Sequence, residues 1–120
     1  MNATFLARDA YGASNRAIRT PRSDEYAAFS KITAAMKKAE TFGETAAALT
    51  DNRRLWTILA ADLAGEGNGL PRELRADLIS LAAFTDKHTS KVLRREAEID
   101  VLIEINTTIM AGLRQRETGA

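Results

Sequence analysis

From residue 21 onward, apolar side chains recur at spacings of three and four residues. A helical turn holds about 3.6 residues, so that spacing stacks them on one face of a helix. Tyr26, Phe29, Ile32, Met36 and Ala39 form one stripe, with Asp24, Lys31 and Lys38 on the other side, which predicts an amphipathic helix over 21–39. Thr20-Pro21 supplies its start: a hydroxyl N-cap, then proline where a missing N–H costs nothing. Leu49, Asn52, Trp56, Leu59 and Leu63 predict a second helix over 44–64. Thr41 and Glu44 have the spacing of a capping box, which moves its start to about residue 42. Gly65, Gly67 and Gly69 end it, since glycine has little helical preference.

Pro71 opens the next helix, in which Leu74, Leu78, Leu81, Thr85, His88 and Val92 share a face. The last, over 99–114, carries Ile99, Leu102, Ile105, Asn106, Ile109, Met110 and Leu113. Glu96-Ala97-Glu98 between these two tolerates helix, so one continuous long helix is the competing reading. The first 18 residues show a weaker pattern around Phe5, Tyr11 and Ile18, a short helix or an arm. No segment alternates with period two and valine occurs only twice, so strands are not expected. The pattern predicts an all-α fold, a single small bundle of four to five helices over 1–120. The short glycine-rich connection at 65–70 makes its flanking helices antiparallel neighbours and buries Trp56 near Leu74 or Leu78.

Composition narrows the class. With 45% hydrophobic and 28% charged residues the chain has the balance of a folded domain. Seventeen basic against sixteen acidic residues leave a net charge of +1, which argues against a dedicated nucleic-acid binder. Having no cysteine, the chain forms neither disulfides nor thiolate metal sites and suits a reducing cytoplasm. Met1 to Ala10 contains Arg8 and Asp9 with no apolar run before them, unlike an export signal. No stretch approaches the roughly 18 apolar residues of a membrane span. A cytoplasmic, soluble protein is expected.

No catalytic constellation emerges, and neither a cofactor nor a metal is expected. The single histidine, His88, has Thr85 where a di-iron bundle needs glutamate, and reads as a core-edge residue beside Phe84 and Val92. Glu96, Glu98 and Asp100 lack the glycine turn of a calcium loop and read as a charged turn. Gly65 to Gly69 lacks the Gly-Lys-Ser/Thr ending of a phosphate loop. Lys37-Lys38 and Arg53-Arg54 read as solvated faces.

Two asparagines stand within apolar stripes: Asn52 amid Leu49, Trp56, Leu59 and Leu63, and Asn106 amid Leu102, Ile109 and Leu113. A buried amide without partners costs about 1–3 kcal/mol, so each needs hydrogen bonds. They either fix register within the bundle or face a groove that receives a partner's backbone. Trp56 carries the same choice between core and interface anchor. Val101 and Ile103 widen the apolar arc of the last helix to roughly 200°, more than a surface helix needs. That excess marks Ile103, Met110 and Leu113, with Asn106, Asn52 and Trp56, as candidate partner-binding residues.

Three blocks carry a family resemblance. The first is Tyr11 with Thr20-Pro21-Arg22 and Glu25. The second runs from Leu49-Thr50-Asp51-Asn52-Arg53-Arg54-Leu55-Trp56 through Asp62 and Asn68-Gly69-Leu70-Pro71 to Leu74-Arg75, Leu78 to Ala82 and His88-Thr89. The third is Leu102-Ile103-Glu104-Ile105-Asn106 with Met110-Ala111-Gly112-Leu113. In order and spacing the chain resembles the FlaF family, flagellar proteins of alphaproteobacteria that act on flagellin production and export. The resemblance implies a non-enzymatic protein working beside a FlbT-type regulator, as a chaperone that binds flagellin monomers before secretion. The alternative it allows is a post-transcriptional regulator acting on flagellin messenger RNA or on the FlbT-type protein. The near-neutral charge favours the chaperone, because an RNA surface needs clustered basic residues.

Overall fold

The structure, a computed structural model, describes residues 21–65 and 67–117, with side chains over 24–65 and 67–114. The arm or short helix suggested for the first 18 residues, and Thr20 as a cap, lie outside the described residues. Four helices follow in order: α1 (Pro21–Lys38), α2 (Phe42–Ala64), α3 (Arg72–Leu93) and α4 (Asp100–Glu117). Among the described residues there is no strand.

The helix boundaries have local causes. At α2 the expected capping box forms: Thr41 Oγ1 accepts from the Glu44 N–H at 3.0 Å, and Glu44 Oε1 accepts from the Thr41 and Glu40 N–H groups at 3.4 and 2.8 Å. Past its end, Gly67 and Gly69 take φ values of +77° and +90°, where any Cβ is strained. Asn68 pins this turn, donating to Asp62 Oδ2 at 2.9 Å while its Oδ1 accepts from the Leu70 N–H at 3.2 Å.

The α3–α4 corner settles the choice left open between a break and a continuous helix. The chain breaks over residues 94–99. Arg95 adopts φ +64°, and the Arg95 and Glu96 N–H groups return to the Val92 and Lys91 carbonyls at 2.9 and 2.8 Å. These are the two bonds of a Schellman ending, formed here without the usual glycine, which is why the sequence hides it. The Arg95 guanidinium lies over the Phe42 ring, 4.3 Å from its centroid, tying the corner to the start of α2.

Packing runs around the bundle as α4–α1–α2–α3, with extensive contact between each of these neighbours. The last side of the square is thin: α3 and α4 share little direct packing. Across the α2–α3 face, Arg53 Nε donates to Asp86 Oδ1 at 2.9 Å, and its Nη2 to the Asp86 carbonyl and Ser90 Oγ at 2.8 and 2.6 Å. The solvated reading therefore fails for Arg53, which staples two helices, and holds for Arg54, exposed beside Asp51. Across the α1–α4 face, Arg114 donates to the Tyr26 hydroxyl at 3.3 Å, so these helices run antiparallel.

The core has two parts. Near the α3–α4 corner, Met36, Ala48, Leu49, Val92 and Leu102 form one cluster. Further along, Phe29, Trp56 and Ala82 form the other, with Phe29 and Trp56 in edge-to-face contact at 5.7 Å. The residues of α3 in Trp56's cluster are Leu81 and Ala82, one turn beyond the expected Leu78. The reason lies in α3's rotation. Its fully covered positions are Ala82, Thr85, Thr89 and Val92, whereas Leu74, Leu78, Leu81 and His88 are half-buried. The Arg53 staple draws the Asp86–Ser90 flank toward α2, and the larger apolar side chains turn toward α4.

Candidate functional site

Both apolar-stripe asparagines are fully buried, and they meet. Asn106 is the hub. Its Nδ2 donates to Asn52 Oδ1 at 2.8 Å and to Thr33 Oγ1 at 3.1 Å, and its Oδ1 accepts from Trp56 Nε1 at 2.9 Å. One amide thus ties α4 to α1 and, diagonally, to α2. The Asn52 oxygen must face Asn106, because a flipped amide would bring two donors together. That orientation leaves Asn52 Nδ2 without a partner among the described residues, and Thr85 Oγ1 is likewise unpartnered. Thr89 Oγ1 donates to the Thr85 carbonyl at 2.6 Å, an internal bond of the helix.

Three of the six candidates, Asn52, Trp56 and Asn106, therefore sit inside this network, and in this structure solvent does not reach them. The other three lie along α4. At about 100° per residue, Ile103 and Met110 fall on the same flank as Arg114, the flank that meets α1, and both are half-buried. Leu113 is half-buried beside the Trp56 cluster.

The opposite flank of α4 carries Val101, Ile105, Ile109 and Gly112, and faces α3. Here cover is incomplete. Ile105 and Ile109 are half-buried, and a Cβ added at Gly112 would meet nothing within 4 Å. From α3, Leu81 and half-buried Leu74 and Leu78 point the same way, bordered by Phe84, which is 43% exposed. The result is an apolar seam between α3 and α4, floored by the Trp56 cluster. It closes at the corner, where Val92 and Leu102 share a cluster and His88 Nε2–H donates to the Glu98 carbonyl at 2.8 Å. His88 also stacks on Phe84, with centroids 5.3 Å apart.

Sequence reasoning missed Phe84 and the Arg53–Asp86–Ser90 staple. Phe84 lies off the apolar stripe of α3, and that displacement was the available signal. The staple had none, because a charged pair 33 residues apart looks like two surface charges. Among the described residues, no group of three or more His, Asp or Glu side chains is placed to hold a metal ion, and no helix is long and apolar enough to cross a membrane.

The family model described as flagellar protein FlaF matches residues 7–113. No curated protein and no solved structure matches the chain.

Proposed function

Since the chain belongs to the FlaF family of flagellar proteins, we propose that it acts as a non-enzymatic cytoplasmic chaperone that holds a flagellin monomer before export. The observation that carries this reading is the α3–α4 seam, a bundle side with half-covered Leu78, Leu81, Ile105 and Ile109 and an exposed Phe84. Flagellin's terminal regions are amphipathic and polymerise as helices, so a cytoplasmic partner must cover their apolar faces until export. A groove between two helices accepts such a segment by adding a further helix to the bundle. Leu113, half-buried beside the Trp56 cluster near the end of α4, stands at this opening, whereas Ile103 and Met110 lie on the flank that meets α1. Beneath the groove, Trp56 shares a cluster with Ala82 of α3 and donates to Asn106 of α4, which is in turn bonded to Asn52.

Calorimetry with purified flagellin monomers tests the proposal. Phe84→Glu should weaken binding about thirtyfold, or roughly 2 kcal/mol, while circular dichroism shows the fold retained. A polar replacement at Leu113 is the second test, and Ile103 and Met110, on the α1 flank, should act only through folding. Unchanged affinity in well-folded variants at Phe84 and Leu113 would remove the groove from this seam. The same titrations with flagellin messenger RNA and with a FlbT-type regulator address the other reading: tight binding to either, and none to flagellin, would make the protein a post-transcriptional regulator.

A further inference from the structure

The outward face of α3 carries charges that the rest of the bundle does not answer. At about 100° per residue, Glu73, Asp77, Ser80, Phe84, Lys87 and Lys91 fall within one stripe roughly 80° wide, opposite buried Ala82. All six are exposed. The acids occupy the first half of the stripe and the lysines the second, with the Phe84 ring between them. Each like pair stands four residues apart, so Glu73 neighbours Asp77 and Lys87 neighbours Lys91 on the helix surface, an unfavourable spacing for equal charges. Among the described residues none of these four charges is in an ion pair. The helix dipole accounts for an acid in the first turn and a base in the last, Glu73 and Lys91. It does not account for Asp77 and Lys87, which lie further in, nor for an exposed aromatic ring on the same stripe.

The stripe is balanced about its middle. Counted from Ala82, Glu73 and Lys91 lie nine residues to either side, Asp77 and Lys87 five, and Ser80 and Phe84 two. A second copy laid antiparallel across the level of Ala82 therefore sets every acid opposite a lysine. The same placement brings each Phe84 ring onto the small Ser80 of the other copy. A two-fold dimer uses one patch on both subunits, so that patch must complement itself under a half-turn, and this one does. Helices crossing at about 20° pack about 8–10 Å apart. The outermost charges stand about 13 Å from the crossing point, where the axes have separated to roughly 10 Å, within the joint reach of a lysine and a glutamate.

We propose that two copies of the chain pair through the outward faces of antiparallel α3 helices, with Phe84 against Ser80 at the centre and Glu73–Lys91 and Asp77–Lys87 pairs toward either end. A single helix pair makes a small contact, so the dimer belongs with transient assemblies. Exposed ion pairs contribute little affinity and mainly fix register and orientation, which leaves Phe84 as the apolar anchor.

Sedimentation equilibrium of the full chain without flagellin, over roughly 5 to 500 µM, should show a reversible monomer–dimer equilibrium. Charge reversal then tests the face. Lys87→Glu with Lys91→Glu makes the stripe wholly acidic, and Glu73→Lys with Asp77→Lys makes it wholly basic. Each variant alone sets like charges opposite one another and should dimerise about tenfold more weakly or worse. An equimolar mixture should recover dimers containing one of each, at least as tight as those of the natural chain, and added salt should weaken them. Monomer at every concentration would overturn the proposal. So would dimers that neither reversal weakens, or variants that fail to recombine on mixing, because the contact would then lie elsewhere. If circular dichroism shows that a reversal costs helix, Phe84→Ser decides in its place: a dimer about tenfold weaker supports the α3 pairing, and an unchanged one overturns it. No arm contains flagellin, so failure here leaves the chaperone reading standing, and loss of the chaperone reading leaves the dimer.

Discussion

At the scale of single residues, the buried amides behave unequally. Asn106 uses both its donors and its oxygen, whereas Asn52 accepts one bond and its own NH2 has no partner among the described residues. Asn106→Leu strands the Trp56 N–H and removes the acceptor's partner at Asn52, and each orphaned buried group costs about 1–3 kcal/mol. Asn52→Leu strands only one N–H of Asn106 and abolishes an orphan of its own. Urea unfolding should therefore show Asn106→Leu less stable than Asn52→Leu by about 2 kcal/mol; equal losses would remove the hub role. Thr85 supplies the complementary case. Its hydroxyl is buried and has no partner among the described residues, so Thr85→Val keeps the shape and should raise stability by about 1 kcal/mol in the same measurement. That both asparagines are buried was legible from their positions in apolar stripes. Their pairing was not, since it joins residues 54 apart in sequence.

Among the elements, the α3–α4 corner is the least conventional. Arg95 holds a left-handed conformation that costs an L side chain about 1 kcal/mol, against a contact with exposed Phe42 of about 0.5–1 kcal/mol. Arg95→Gly exchanges one for the other and should leave the thermal midpoint nearly unchanged. Arg95→Ala loses the contact and keeps the strain, and should lie about 1 kcal/mol below the glycine variant. A matching pair of midpoints would mean that the backbone at 95 relaxes in the alanine protein. By contrast, α2 begins where Thr41 and Glu44 say it should, because a capping box is a local signal that needs no tertiary partner.

Across the whole molecule, cover is uneven, and amide exchange should report it. α2 packs against both α1 and α3, while the first half of α3 has α2 on one side and the thin seam on the other. The amides of Leu78 and Ile79 should exchange at least tenfold faster than those of Trp56 and Thr57. Comparable protection would mean that α3 opens only with the rest of the bundle. The same unevenness separates the half-open α3–α4 side, where flagellin binding is proposed, from the closed sides that hold the bundle together.

The helical segments, the Thr41–Glu44 cap, the glycine turn and the burial of the two amides followed from the sequence alone, because each depends on residues within a few turns of one another, whereas the break between α3 and α4 did not. Helix rotation and the order of neighbours around the bundle did not. The Arg53 staple turns α3 so that Ala82 and Thr89, not Leu78 and Leu81, take the covered positions, and this leaves the apolar flank half open toward α4. Periodicity marks that a helix has an apolar face; which part of that face finds a partner depends on contacts between residues far apart in the chain. For the same reason the wide apolar arc of α4 was visible in the sequence, while only the tertiary structure decided that Ile103 and Met110 turn toward α1 and Ile105 and Ile109 toward the seam.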